Sequence, residues 1–246
     1  MSEQDDRKWW SKALLVGGVV GLVALPIGAL GTKFGIWPFT VGFMLLAVGA
    51  VLGAAVFFLG IIAAVLANSR NMPQDKRSAL IGVALSFVVV GLLGNQFLSA
   101  TAVPPIHNIS TDTESPPEFD KIVAIREAEG ANPLAYSAEV AEAQRQAYPQ
   151  IQSLVSATDA DQMFAKAVMA VESLGMELVN EDSAQGIIEA TDTTFWFGFK
   201  DDVVIRVTAE ASGSVVDVRS VSRVGQSDLG KNAQRIGEIL AAIKAG

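Results

Sequence analysis

His107 is the single histidine of the 246-residue chain, and it stands close to Ser110 and Asp112. A hydrolase would want a nucleophile, a base and an orienting acid. Proximity along the chain is not the geometry of a triad, however, and no strand-turn-helix nucleophile elbow accompanies these residues. They read instead as part of a linker whose polar side chains cap local turns. Asp112, Glu114, Glu118 and Asp120 would attract a calcium ion, but they lack the spacing and the glycine of a calcium loop, so a solvated acidic stretch is expected. The absence of cysteine excludes a disulfide framework and a thiolate metal site, and one histidine excludes a multi-histidine centre within the chain. With no motif for a nucleotide, flavin, metal or activated nucleophile, the chain is expected not to be an enzyme and to carry no cofactor and no metal.

The sharpest local feature is a hairpin around Ala211-Ser212-Gly213. A turn centred on Ser212-Gly213 pairs Val207 with Val218 and Ala209 with Val216, which gathers apolar partners on one face. The other face then sets Arg206 opposite Arg219 and Thr208 opposite Asp217. Like charges opposite each other are unfavourable unless an anion or a carboxylate lies between them. Glu177, Glu189 or Asp217 could bridge them in an exposed ladder. Alternatively Arg206 and Arg219, with Arg223, could grip a carboxylate or phosphate with planar donor forks. Nucleic acid is a poor ligand for so acidic a domain.

Those residues must be positioned by a chain with two characters. Half of it is hydrophobic, and its net charge of −8 divides into +3 over residues 1–100 and −11 over residues 101–246. Three runs, Ala13–Gly31, roughly Val41–Ala67 and Ala79–Leu98, hold no ionisable residue and are long enough to cross about 30 Å of hydrocarbon as helices. Arg7, Lys8 and Lys12 precede the first run, Lys33 alone follows it, and Arg70, Lys76 and Arg77 follow the second, while Ser99–Asp120 has no Lys or Arg. By the positive-inside rule the N-terminus (1–12) lies in the cytoplasm and the residues after the transmembrane region (13–100) lie outside it, in the periplasm if the membrane is a bacterial inner membrane. Trp9, Trp10 and Trp37 fall at the membrane edges. Gly17 with Gly21, and Gly49 with Gly53, put small residues on one helix face where backbones can approach, and Pro26 is expected to bend the first helix.

Residues 101–135, with Pro104-Pro105 and Pro116-Pro117, read as an extended, mostly irregular linker. Residues 136–246 then carry helix signals at Ser137–Ala147, Ala160–Leu174 and Lys231–Lys244. Between the last two come strand-like runs at Met176–Glu181, Gly186–Thr191, Thr194–Phe199 continuing into Asp202–Ala209, and Ser214–Ser222. The expected fold is a three-helix membrane anchor plus an α+β two-layer domain, its antiparallel sheet of about four strands covered by helices on one face. Within the aromatic run, Phe195, Phe197 and Phe199 are expected in the core, with Gly198 permitting a bulge. An exposed Trp196 would instead mark a protein or membrane contact.

Ile106–Asp112, Pro116–Phe119, Phe197–Arg206 and above all Val218–Ile236 resemble a bacterial family known as domain-of-unknown-function family 1499, over about residues 104–243. The resemblance implies no reaction, cofactor or substrate, and it places Arg206, Arg219, Arg223, Asp228, Asn232 and Arg235 within the family's motif stretches. Gly225 and Gly230 bracket a tight connection in which Ser227 or Asp228 can cap the last helix; an anion beside Arg223 is the alternative at that helix end. The function expected is that of a membrane-anchored extracytoplasmic binding or accessory protein, a non-catalytic subunit or scaffold of an envelope complex. Its partners would be the membrane and other membrane proteins. The other expectation is a binder of a small anionic ligand or lipid headgroup.

Overall fold

The computed structural model describes residues 6–246, so the first five residues of the expected cytoplasmic segment lie outside the described residues. The chain divides into two compact units, residues 1–100 with Phe195–Gly198, and residues 101–194 with 199–246.

In the first unit, α1 (Trp9–Lys33), α2 (Phe39–Ser69) and α3 (Pro73–Thr101) are long and apolar enough to cross a membrane. Helix α1 runs unbroken through Pro26. Glycine makes the packing: a Cβ at Gly49 would sit 3.1 Å from the Gly21 carbonyl oxygen, and one at Gly17 2.8 Å from Val56. A Cβ at Gly53 would meet Val89 of α3 at 3.0 Å, and one at Gly18 would meet the Gly82 carbonyl at 2.9 Å. The small-residue faces therefore close helices of this chain against one another, by van der Waals contact between backbones. Asp75, buried in the first turn of α3, accepts hydrogen bonds from the Lys8 amide at 2.8 Å and the Ser11 hydroxyl at 2.5 Å. The carboxylate satisfies the Lys8 amide at the start of α1, a donor that the helix's own backbone cannot.

In the second unit a six-stranded antiparallel sheet has the order β1-β6-β5-β4-β3, with β2 sharing the outer edge of β6 with β1. The strands are β1 (Asn108–Ser110), β2 (Leu154–Ser156), β3 (Glu177–Asp182), β4 (Ile187–Thr193), β5 (Lys200–Glu210) and β6 (Gly213–Ser222). The two three-residue strands at the edge are those beyond the expected set. One face carries Ile188, Ala190, Val203, Ile205, Val207, Val216 and Val218 against α6 (Ala160–Ser173) and α7 (Lys231–Ala245), which contribute Phe164, Val171, Ile236 and Ile239. Each buried Val, Ile or Phe side chain among them is worth about 1.5–3 kcal/mol relative to exposure. Helix α6 starts at an Asp159 side chain accepting the Gln162 amide, and α5 (Ala138–Ala147) at Ser137 accepting that of Val140.

Three expectations change. The segment 101–135 is not merely extended, because it holds β1 and α4 (Lys121–Glu129). The start of α4 has no local side-chain cap; its amides at Asp120, Lys121 and Ile122 donate instead to the fully buried carboxylate of Glu189 on β4, at 2.8, 2.9 and 3.3 Å. The aromatic run is a turn rather than a strand, with Gly198 at φ +69° and Phe195 71% exposed, so Phe195 is no core residue. The hairpin, finally, pairs Val207 with Val216, Arg206 with Asp217 and Val204 with Arg219. Its turn is Ala211-Ser212, two residues away from the expected register.

Candidate functional site

Strand alternation and this register place Glu189, Thr191, Asp202, Arg206, Asp217 and Arg219 on the sheet face opposite the apolar core. All of them but Arg206 are buried. The like-charge pair expected there does not exist, because Asp217 faces Arg206. The Arg206 guanidinium donates at 2.9 Å to both Asp217 and Asp112. Burial alone would lower its pKa, but the two carboxylates outweigh burial and raise it. Burial by itself would raise Asp112; the amides of Ser115 and Glu114 together with Arg206 bring it below the usual carboxylate range.

Asp202, wholly buried, is the centre of the face. It accepts from Arg126 at 2.6 Å, from Arg223 at 2.9 and 2.7 Å, and from the Thr191 hydroxyl at 2.8 Å. Arg223 reaches on to Glu129 at 2.7 Å, and Arg126 to the carbonyls of Asn132, Val221 and Ser222. Two guanidinium groups and two carboxylates thus form a charge-balanced cluster, buried at Arg126, Arg223 and Asp202 and open to solvent at Glu129, that fastens α4 onto the sheet. Burial would lower the Arg223 pKa, yet its carboxylate partners raise it above the ordinary arginine value.

Arg219 is built differently. It donates to Asn108 Oδ1 at 3.1 Å, to the Pro117 carbonyl at 3.0 Å and to the Leu134 carbonyl, and its guanidinium lies 5.6 Å from the Phe119 ring centre and 5.8 Å from that of Tyr136. Every one of these partners is neutral, and burial pulls the pKa of Arg219 down to about 10.

The remaining motif residues meet at the other face, near the start of α7. Asp228 accepts the amides of Gly230, the N-cap residue of α7, and of Asn232 in its first turn, at 2.8 Å each; burial raises its pKa despite them. Asn232 bonds Ser220, Ser222 and the His107 carbonyl. Arg235 donates to Asp192 and Asp201, each at 2.7 Å, and to Asn232 at 2.6 Å. Among the described residues the buried Ser110 hydroxyl has no hydrogen-bond partner, and Asp112 is held by Arg206, so His107, Ser110 and Asp112 do not form a triad. The acidic stretch is likewise dispersed, with Glu114 on Arg145 and Asp120 on Lys121. Trp196 is 56% exposed and packs edge-on against Phe195, ring centres 5.2 Å apart.

Arg126 and Asp202, central to the charged face, escape sequence reasoning. Asp202 would be found by asking why an ionised residue precedes an apolar strand run, and Arg126 by its place on a helix that composition conceals. Residues 108–243 match the model of a family described as a protein of unknown function, DUF1499. No curated protein matches the chain.

Proposed function

The chain belongs to the DUF1499 family, and from that premise we propose that it is a membrane-anchored binding protein, an accessory or scaffold subunit of an envelope complex that acts by contact rather than by bond chemistry. Its N-terminus lies in the cytoplasm and its sheet domain in the periplasm of a bacterial inner membrane, a placement supported by the Lys and Arg distribution around the three helices. The observation that carries the reading is the adjacent pair Phe195 and Trp196, left 71% and 56% exposed on a turn while the motif guanidinium groups are held inside the domain. Adjacent exposed aromatic side chains are the kind that anchor protein interfaces.

Gentle detergent extraction of the tagged full chain, with native sizing and mass spectrometry, tests it. A stoichiometric companion protein that is lost in Trp196→Ala is the expected result, and a small particle free of companions contradicts it. A second reading, a small anionic ligand or lipid headgroup at Arg206 and Arg219, is favoured by the neutral hydrogen-bond partners of Arg219. It requires inorganic phosphate or a carboxylate to protect the domain against thermal unfolding, and that protection to disappear in Arg219→Lys.

A further inference from the structure

Where the start of α1 meets the connection from α2 to α3, a cavity of about 370 Å³ opens, lined by Lys8, Trp10, Leu66, Ala67, Arg70 and Met72. The connection is a tight one. Asn71 takes a left-handed φ of +51°, the Met72 amide donates to the Ala67 carbonyl at 2.9 Å, and the Arg70 amide to that of Leu66 at 3.2 Å. Backbone bonds therefore hold Arg70 and Met72 at the cavity. Lys8 is tied by its own amide to Asp75, whose carboxylate is turned to that amide and to Ser11; Asp75 and Asp6 border an adjoining hollow of about 260 Å³ beside Lys8.

The lining has two halves. Lys8 and Arg70 are exposed cations. Leu66, Ala67 and Met72 are apolar, and Leu66 continues into Ile62 and Val65, which are 57% and 65% exposed on a helix long enough to cross the bilayer. Either orientation of the chain puts this end of the helices at a headgroup layer, where Lys and Arg extend to the interface and an indole such as that of Trp10 is favoured.

We infer that the cavity holds one anionic glycerophospholipid of the surrounding bilayer, its phosphate between Lys8 and Arg70 and an acyl chain along Leu66 and Met72. A guanidinium can grip a phosphate with two parallel bonds while an ammonium adds a point charge. Inorganic phosphate would leave the apolar lining uncovered, and a zwitterionic lipid brings no net negative charge to the two cations.

The test is native mass spectrometry of the full chain taken from nanodiscs containing equal phosphatidylglycerol and phosphatidylcholine. Retention of one phosphatidylglycerol is expected, weakened about 30-fold in K8Q/R70Q, the loss corresponding to two headgroup cations, and kept in K8R/R70K. Equal retention of the two lipids, or retention unaffected by K8Q/R70Q, overturns the inference. If K8Q/R70Q does not fold, the competition between the two lipids on the unmodified chain decides alone.

Discussion

The two faces of the sheet bury comparable strands by opposite chemistry. Toward α6 and α7, Ile188, Val203, Ile205 and Val218 meet apolar helices, and what matters is volume. Toward α4, Glu189, Asp202 and Arg219 are as deeply buried, and what matters is that each charged group is hydrogen-bonded. An apolar face tolerates substitution in proportion to the cavity left. A charged one fails at a single missing partner, because the remaining ion is stranded in low dielectric. A proline-rich stretch lies ordered over this sheet because α4 and its neighbours are held by hydrogen bonds to Glu189, Asp202 and Arg219, with Ile122 of α4 fully buried beside them.

That contrast can be broken by substitution, and the largest effect is expected at Asp202. Asp202→Ala leaves Arg126 and Arg223 facing each other without their shared carboxylate and should destabilise the domain by about 3–5 kcal/mol in denaturant unfolding. A loss below about 1 kcal/mol would mean that the face is solvated and the contrast false. On the opposite face, Ile205→Ala should cost about 3 kcal/mol by the same measurement, from lost burial and a cavity.

A smaller effect separates the faces by pH. The chain has two tyrosines, and burial pushes Tyr136 up to about 12 and raises Tyr148 as well, so phenolate absorbance should appear above the usual tyrosine range. Because the folded pKa of Tyr136 exceeds its unfolded value, its contribution to stability is whole below about pH 10 and is lost as the pH rises towards 12. Arg219, with a folded pKa below its unfolded one, acts in the opposite sense in that window. Tyr136→Phe should therefore remove part of the alkaline loss, and it also deletes the bond to Gln144, worth about 1 kcal/mol at neutral pH. Smallest of all, Arg145→Ala breaks exposed pairs with Glu114 and Glu142 and an exposed hydrogen bond to Thr113 and should change unfolding by less than about 0.5 kcal/mol. A larger loss there would extend the buried network to the surface.

Local signals carried much of this architecture. Ser137, Asp159 and Gly175 mark helix ends from their own residue types, and the three apolar runs are legible from length alone. What periodicity could not decide was the register of β5 and β6. A shift of two residues keeps the same valines on the same face, so Ser212-Gly213 and Ala211-Ser212 were equivalent turns by pattern. The choice depends on a distant strand: Gly213, at φ +141°, begins β6 where a Cβ would collide with the Ser156 carbonyl of β2. Helix α4 was hidden for a similar reason, since its cap, Glu189, lies 67–69 residues along the chain. The phenylalanines of the aromatic turn misled because composition favours a core strand, whereas Gly198 turns the backbone away from one. Of the candidate residues, the arginines were found by motif and spacing. Asp217 is among the carboxylates expected beside them, whereas Asp202 becomes visible only with the correct pairing.

On the proposed reading these arginines are internal fasteners of the sheet domain, and a partner is bound elsewhere, at the exposed Phe195 and Trp196. Side-chain nitrogen NMR of the arginines in the full chain in nanodiscs, with and without inorganic phosphate, tests it most directly. Slowly exchanging guanidinium protons at Arg126, Arg219, Arg223 and Arg235, unmoved by phosphate, are the predicted result; fast exchange and phosphate-dependent shifts at Arg206 and Arg219 would contradict it.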